Sequence, residues 1–229
     1  MKTEMIVALD VASAREVREV VRALGAEVNF FKVGLELFTC AGPAALAPLQ
    51  AAGKRVFLDL KLHDIPRTVA RAVTAAAAQG VDLLTVHAGG GTAMLAAAAQ
   101  AAGDSGPNVV AVTALTSLDE ADLRSVGVAR GLQEHIAALA ELAVNAGVDG
   151  LVCSPQELRL LRRNLGDAPI LVAPGVRPAG AEHGDQKRVA TPAQAAQAGA
   201  TYIVVGRPVL EAPDPAAAAR RIRAELNAQ

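Results

Sequence analysis

Eight short apolar runs, each followed by a helix-like pattern, repeat along this chain. The strand segments read as Met5 to Leu9, Asn29 to Gly34, Lys54 to Lys61, Asp82 to His87, Val109 to Leu115, Gly150 to Cys153, Pro169 to Ala173 and Thr201 to Gly206. Most are near-continuous Val, Ile and Leu, the pattern of strands buried on both faces and so of a parallel sheet. Ser13 is placed to cap a helix running to Leu24. A second helix is expected from Glu36 towards Ala51 with Pro43 early in it, and a third from Pro66 to Gln79, stopped by Gly80. Later helices are expected after Gly89-Gly90-Gly91, at Leu132–Asn145, from a Ser154 cap with Pro155 in the first turn, and near Pro215–Leu226. Eight such units in 229 residues predict an α/β chain folded as a single (β/α)8 (TIM) barrel domain over residues 1–229. The alternative is an open doubly wound sheet, but no Gly-x-Gly-x-x-Gly fingerprint follows the first strand.

The composition narrows the class of function. A net charge of −1 leaves no basic surplus for nucleic acid. The apolar runs are far too short to span a bilayer, and Met1-Lys2-Thr3-Glu4 leads straight into a strand without room for a signal peptide. Cys40 and Cys153 lie far apart, without metal-ligand spacing, and fit buried thiols in a reducing compartment. The expectation is a cytoplasmic chain with no membrane and no nucleic-acid partner.

Chemistry in such barrels sits at the C-terminal ends of the strands. The polar exceptions fall there. Asp10 ends the first strand, and Lys32 lies inside Phe30-Phe31-Lys32-Val33-Gly34 near the end of the second. The third ends in Asp59-Leu60-Lys61-Leu62-His63-Asp64-Ile65-Pro66, where alternation puts Asp59 and Lys61 on one face. Pro66 closes the strand, because it offers no N–H to a ladder. Charges so placed are costly unless paired. Lys32, Asp59, Lys61 and Asp64 are expected to form an alternating row. Anions on both sides hold a lysine as ammonium, which makes it a proton donor rather than an imine-forming nucleophile.

The loops after the last two strands suggest an anion site. Pro174-Gly175-Val176-Arg177-Pro178 and Val205-Gly206-Arg207-Pro208 stand where barrels of this kind often bind phosphate. Gly206 permits close backbone approach, Arg207 brings a fork of donors, and Pro208 opens a helix. Between the two motifs, Arg177 to Arg188 has the length of a mobile lid. His63, His87, His135 and His183 show no metal spacing. His87 ends a strand within reach of a ligand, although a hydrogen-bonded structural histidine is the better reading of it.

Taken together, these residues resemble the orotidine 5'-phosphate decarboxylase family, in its common bacterial branch. The resemblance rests on Asp59-x-Lys61-x-x-Asp64-Ile65-Pro66 with Thr68. It continues through Leu9-Asp10, Phe31-Lys32-Val33-Gly34, Leu115-Thr116-Ser117, Pro174-Gly175-Val176-Arg177, Asp185-Gln186-x-Arg188 and Val205-Gly206-Arg207-Pro208, in order along essentially the whole chain. It implies cofactor-free decarboxylation of orotidine 5'-phosphate to UMP, the last step of pyrimidine nucleotide synthesis. Lys61 would protonate C6, Asp59 would sit against the departing carboxylate, and Lys32 and Asp64 would complete the charge network. Asp10 and Lys32 would bind the ribose hydroxyls and Thr116 the pyrimidine. Arg177, Gln186, Gly206 and Arg207 would grip the phosphate. Asp64 and Thr68 would reach the ribose of a neighbouring subunit, which implies a homodimer with shared sites.

The nearest alternative is a magnesium-dependent sugar-phosphate decarboxylase or aldolase, which shares the Asp-x-Lys-x-x-Asp strand. It needs a further acidic metal ligand, for which Glu36 is the candidate. The Ile65-Pro66-x-Thr68 continuation favours the nucleotide enzyme, with no metal.

Overall fold

A computed structural model describes residues 2–178 and 190–227. Eight parallel strands close on themselves in sequence order: β1 (Glu4–Leu9), β2 (Phe30–Gly34), β3 (Arg55–Leu62), β4 (Leu83–His87), β5 (Asn108–Val112), β6 (Gly150–Val152), β7 (Ile170–Ala173) and β8 (Tyr202–Val205). β1 pairs with β2 on one side and with β8 on the other, which completes the cylinder. The expected (β/α)8 barrel is therefore the observed architecture, and the open sheet is excluded.

The continuous apolar strands make sense once the two sides of the sheet are separated. Ile6 and Ala8 of β1 point into the barrel, packed with Phe30, Phe57, Leu83, Val110, Val112, Val152, Val172 and Val204. Val7 and Leu9 point outward into the larger core between sheet and helices. Each strand thus needs apolar residues at both parities. Burying one such Val or Leu contributes about 1.5–3 kcal/mol, so both layers are needed to offset chain entropy.

The helices cover the outer layer. Ser13 accepts from the backbone N–H of Glu16 and starts the helix Ala14–Leu24, which buries Val17, Val21 and Leu24. Pro66 occupies the first turn of the helix Pro66–Ala78, which buries Val69, Val73 and Ala76 and packs against Gly91–Ala102. One expected helix is broken. The stretch from Glu36 to Ala51 is Leu35–Ala41, a 3-10 turn Gly42–Ala45 and Ala47–Ala51. Gly42 turns left-handed at φ 55, and Pro43 and Pro48 each lack the N–H a continuous helix requires. The polar stretch after β5 holds a short helix, Glu120–Ser125, closed by a reciprocal cap between Asp119 and Asp122. β5 itself ends at Val112, three residues before the expected Leu115.

The other end of the barrel is closed by a cluster centred on Arg55. Its guanidinium lies 4.0 Å over the Phe30 ring and donates to Glu4 at 2.9 Å and to the Tyr202 hydroxyl at 3.1 Å. Asp82 stands 3.7 Å away. Every one of these residues begins a strand or immediately precedes one, so the cluster is a floor, remote from the strand C-termini.

Candidate active site

The inward positions above the apolar layer change character at the strand C-termini. A cavity of about 270 Å³ opens there, lined by Asp10, Lys32, Asp59, Lys61, Thr116, Arg177, Gly206 and Arg207 among others. Ala8, Phe57, Val112, Val152 and Val204 form its apolar base. Parity explains the set. Asp10 follows Ala8 by two, Lys32 follows Phe30, Asp59 follows Phe57 and Gly206 follows Val204.

Four of these side chains form a row. Lys61 Nζ donates to Asp59 Oδ1 at 2.8 Å. Lys32 Nζ lies 3.7 Å from Asp59 Oδ2 and 3.9 Å from Asp10 Oδ1. The middle of the row is the least exposed: the Asp59 side chain keeps 12% of its surface and Lys32 14%, against 31% for Lys61 and 59% for Asp10. A carboxylate this enclosed is tolerated only where donors surround it. Asp59 has the Lys61 ammonium and the Thr85 hydroxyl on one oxygen, the latter at 3.0 Å, and faces Lys32 with the other. Two glycines make room. A Cβ on Gly206 would stand 2.7 Å from Asp10 Oδ2, and one on Gly34 would stand 3.0 Å from Lys32 Nζ.

β3 does not stay regular through this row. Leu58 pairs with Leu84 but Leu62 with Val86, so four steps on β3 span two on β4. Within that bulge Lys61 adopts φ 50, the one described non-glycine residue with positive φ. Such a conformation costs roughly 1 kcal/mol or more and persists only where neighbours hold it. Asp59 and Lys61 therefore meet by way of a bulge, where simple strand alternation had suggested an undisturbed face.

Asp64 is not in the row. Its carboxylate accepts the Ile65 N–H at 2.6 Å, and no ion pair joins it to a described cation. The segment from His63 to Thr68 is exposed throughout, with Ile65 66% accessible. The row's fourth member within the chain is Asp10 instead. The reason is local: β3 ends at Leu62, and the backbone turns outward to start the helix at Pro66. Thr68 shares that outward position and lines no part of the cavity. Gln186 lies outside the described residues, as does most of the expected lid. Arg177 is fixed at its root, where its N–H donates to Ala190 across a bridge between Val176 and Ala190.

Two of the histidines, His63 and His87, lie beside the row without joining it. The His63 and His87 rings stack at 5.2 Å between centroids and 16° between planes. Burial, and then the nearby positive charges of His63 and Lys61, lower the pKa of His87. Cys153 is buried, as expected, and lines the cavity, whereas Cys40 is exposed, because its helix turns that face to solvent. Thr85 went unnoticed in the sequence, although it is the polar interruption of an apolar strand at the inward parity of Leu83.

Comparison with known proteins agrees with this geometry. A family model described as orotidine 5'-phosphate decarboxylase / HUMPS family matches residues 3–222. An orotidine 5'-phosphate decarboxylase of Anaeromyxobacter sp. strain K is 56% identical, with 96% of each chain covered. Another, from Moorella thermoacetica, is 51% identical over 98% of this chain and 92% of its own. A solved structure of orotidine 5'-phosphate decarboxylase from Lactobacillus acidophilus superposes with a TM-score of 0.88 at 38% identity, covering both chains in full. With the match running through nearly every strand and loop of the barrel, the chain belongs to the orotidine 5'-phosphate decarboxylase / HUMPS family and is a carboxy-lyase within it.

Proposed function

We propose that this enzyme decarboxylates orotidine 5'-phosphate to UMP without a cofactor, with the Lys61 ammonium protonating C6. The observation that carries the reading is the row Asp10–Lys32–Asp59–Lys61 in a cavity that Arg177 and Arg207 also line. A cavity with arginines and a fixed ammonium suits a substrate with a phosphate and a centre that becomes negative.

The chemistry follows from the charges. As the C6–carboxylate bond breaks, its electron pair stays on C6, in an orbital the pyrimidine ring cannot delocalise. The barrier is high, and enzymes lower barriers by typically ~8–23 kcal/mol. Lys61 meets the developing carbanion with a preoriented positive charge and then gives it a proton, returning to ammonium from solvent. Asp59 holds Lys61 Nζ in place through their 2.8 Å bond, and lies against the leaving carboxylate. Lys32 and Asp10 bind ribose hydroxyls, and Thr116 the base. Arg177, Gln186, Gly206 and Arg207 take the phosphate, whose remote binding energy helps assemble the charged site.

Asp64 and Thr68 fit this reading as groups given to a second copy of the chain. They stand exposed beside Ile65, on the face an isologous dimer would cover. The magnesium-dependent alternative has less support, since Glu36 is exposed on the helix Leu35–Ala41 and lines no part of the cavity. Among the described residues no helix is long and apolar enough to cross a membrane.

The test is loss of the orotate ultraviolet absorption, with carbon dioxide release, in excess chelator. Undiminished turnover is expected. Turnover abolished by chelator would move the enzyme to the metal-dependent class, and no turnover under any condition would remove the proposal.

A further inference from the structure

We propose that Thr85 is a positioning residue: its hydroxyl sets both the Asp59 carboxylate and the left-handed backbone of Lys61. The inference rests on the decarboxylase reading for its kinetic consequence, but its structural part stands on the β3–β4 junction alone.

Thr85 is fully buried, on β4, at the inward parity shared by Leu83 and His87. Leu83 belongs to the apolar filling of the barrel, and Thr85 is the next inward residue, at the level where the charged row begins. A buried hydroxyl with nothing to bond would be unfavourable there, and valine would fill the same volume. Thr85 is bonded both as donor and as acceptor. It donates to Asp59 Oδ1 at 3.0 Å and accepts the Lys61 N–H at 2.8 Å.

The second bond explains the first. Because four steps of β3 oppose two of β4, the ladder leaves the backbone of the bulge without regular partners. The Thr85 oxygen takes the place of the missing backbone acceptor for Lys61. With its oxygen engaged by that N–H, the hydroxyl proton is directed away, at Asp59. The same atom thus fixes the start of the Lys61 side chain, while the Lys61 Nζ bond to Asp59 at 2.8 Å fixes its end. Asp59, Lys61 and Thr85 form a closed triangle, and Thr85 lines no part of the cavity. Lys61 is held at φ 50 by this triangle, which gives the strained residue a reason to persist.

Removing the hydroxyl releases the geometry without removing any charge. Small displacements of a catalytic group are worth about 100-fold in rate. Thr85→Val keeps the shape; Thr85→Ser and Thr85→Ala both lose the methyl and differ only in the hydroxyl. We expect Thr85→Val and Thr85→Ala to lose roughly 100-fold in kcat while KM and UMP affinity change little, and Thr85→Ser to recover most of the loss. A readout independent of turnover is amide hydrogen exchange at Lys61 by NMR. That amide should be protected in the wild type and in Thr85→Ser, and unprotected in Thr85→Val. Should Thr85→Val reduce stability, the Ser and Ala pair carries the comparison. Wild-type kcat in a folded Thr85→Val, equal losses in Ser and Ala, or unchanged Lys61 exchange would each overturn the assignment. A wild type that protects the Lys61 amide as described yet leaves orotidine 5'-phosphate intact would instead count against the decarboxylase reading.

Discussion

Lys61 Nζ lies 2.8 Å from Asp59 Oδ1 although the two residues belong to a strand that has left its ladder. A bond this short between a part-exposed ammonium and an enclosed carboxylate fixes the donor before substrate arrives. Lys61→Ala should cut kcat by about 1,000-fold or more, since the general-acid and electrostatic roles proposed for it would be lost together. UMP should still bind, as measured by titration calorimetry. Substantial carbon dioxide release from the variant would show that the proton comes from elsewhere.

Arg207 is exposed beside buried Gly206 at the end of β8. A charge-assisted bond to phosphate is worth about 1.5–3 kcal/mol, so Arg207→Ala should weaken UMP binding by roughly 10- to 100-fold. Uridine binding should hardly change. Equal losses for nucleotide and nucleoside would take the phosphate away from this residue.

Asp64 and Lys61 permit a complementation experiment. If Asp64 completes the partner's site, a mixed dimer of Lys61→Ala and Asp64→Asn chains contains one site with neither substitution. Two inactive preparations, unfolded together and refolded, should regain about a quarter of wild-type activity per chain. Mixtures that stay as inactive as their components would leave Asp64 without a role in the neighbouring site.

His87 gives stability a pH dependence. Its pKa is lowered from the ordinary 6.5 by burial first and then by His63 and Lys61. The folded state therefore binds the proton less readily than the unfolded chain. This contribution is complete above the unfolded value and fades as pH falls through the lower folded one. Thermal midpoints should decline on acidification below about 6.5, and His87→Gln should flatten that decline. A slope unaltered by the substitution would assign it to other groups.

Arg55 is predicted to act on stability alone. Arg55→Met should cost about 1–2 kcal/mol, discounted because the side chain is one-third exposed, and kcat should not move. Urea denaturation beside an activity assay separates the two.

Much of this site was legible because parity is simple. Ala8 to Asp10 and Phe30 to Lys32 each step from barrel filling to charged rim along one face, and a reader of the sequence can count that step. Asp59 and Lys61 were also paired by counting, but the φ of Lys61 was not legible, since nothing in Leu60-Lys61-Leu62 asks for a left-handed residue. Asp64 looked like a fourth member of the row because it is near in sequence. Pro66 turns the chain outward, and among the described residues no cation pairs with Asp64. Thr85 escaped notice for the opposite reason. Its importance lies in contacts with β3, and threonine in a strand is ordinary.

The floor built on Arg55 draws Glu4 of the first strand and Tyr202 of the last into one cluster, beneath the seam where the cylinder closes. The fastening therefore lies at the far end from the chemistry. Loops at the rim can lengthen, shorten or be exchanged for those of another enzyme without unlacing the staves that carry them.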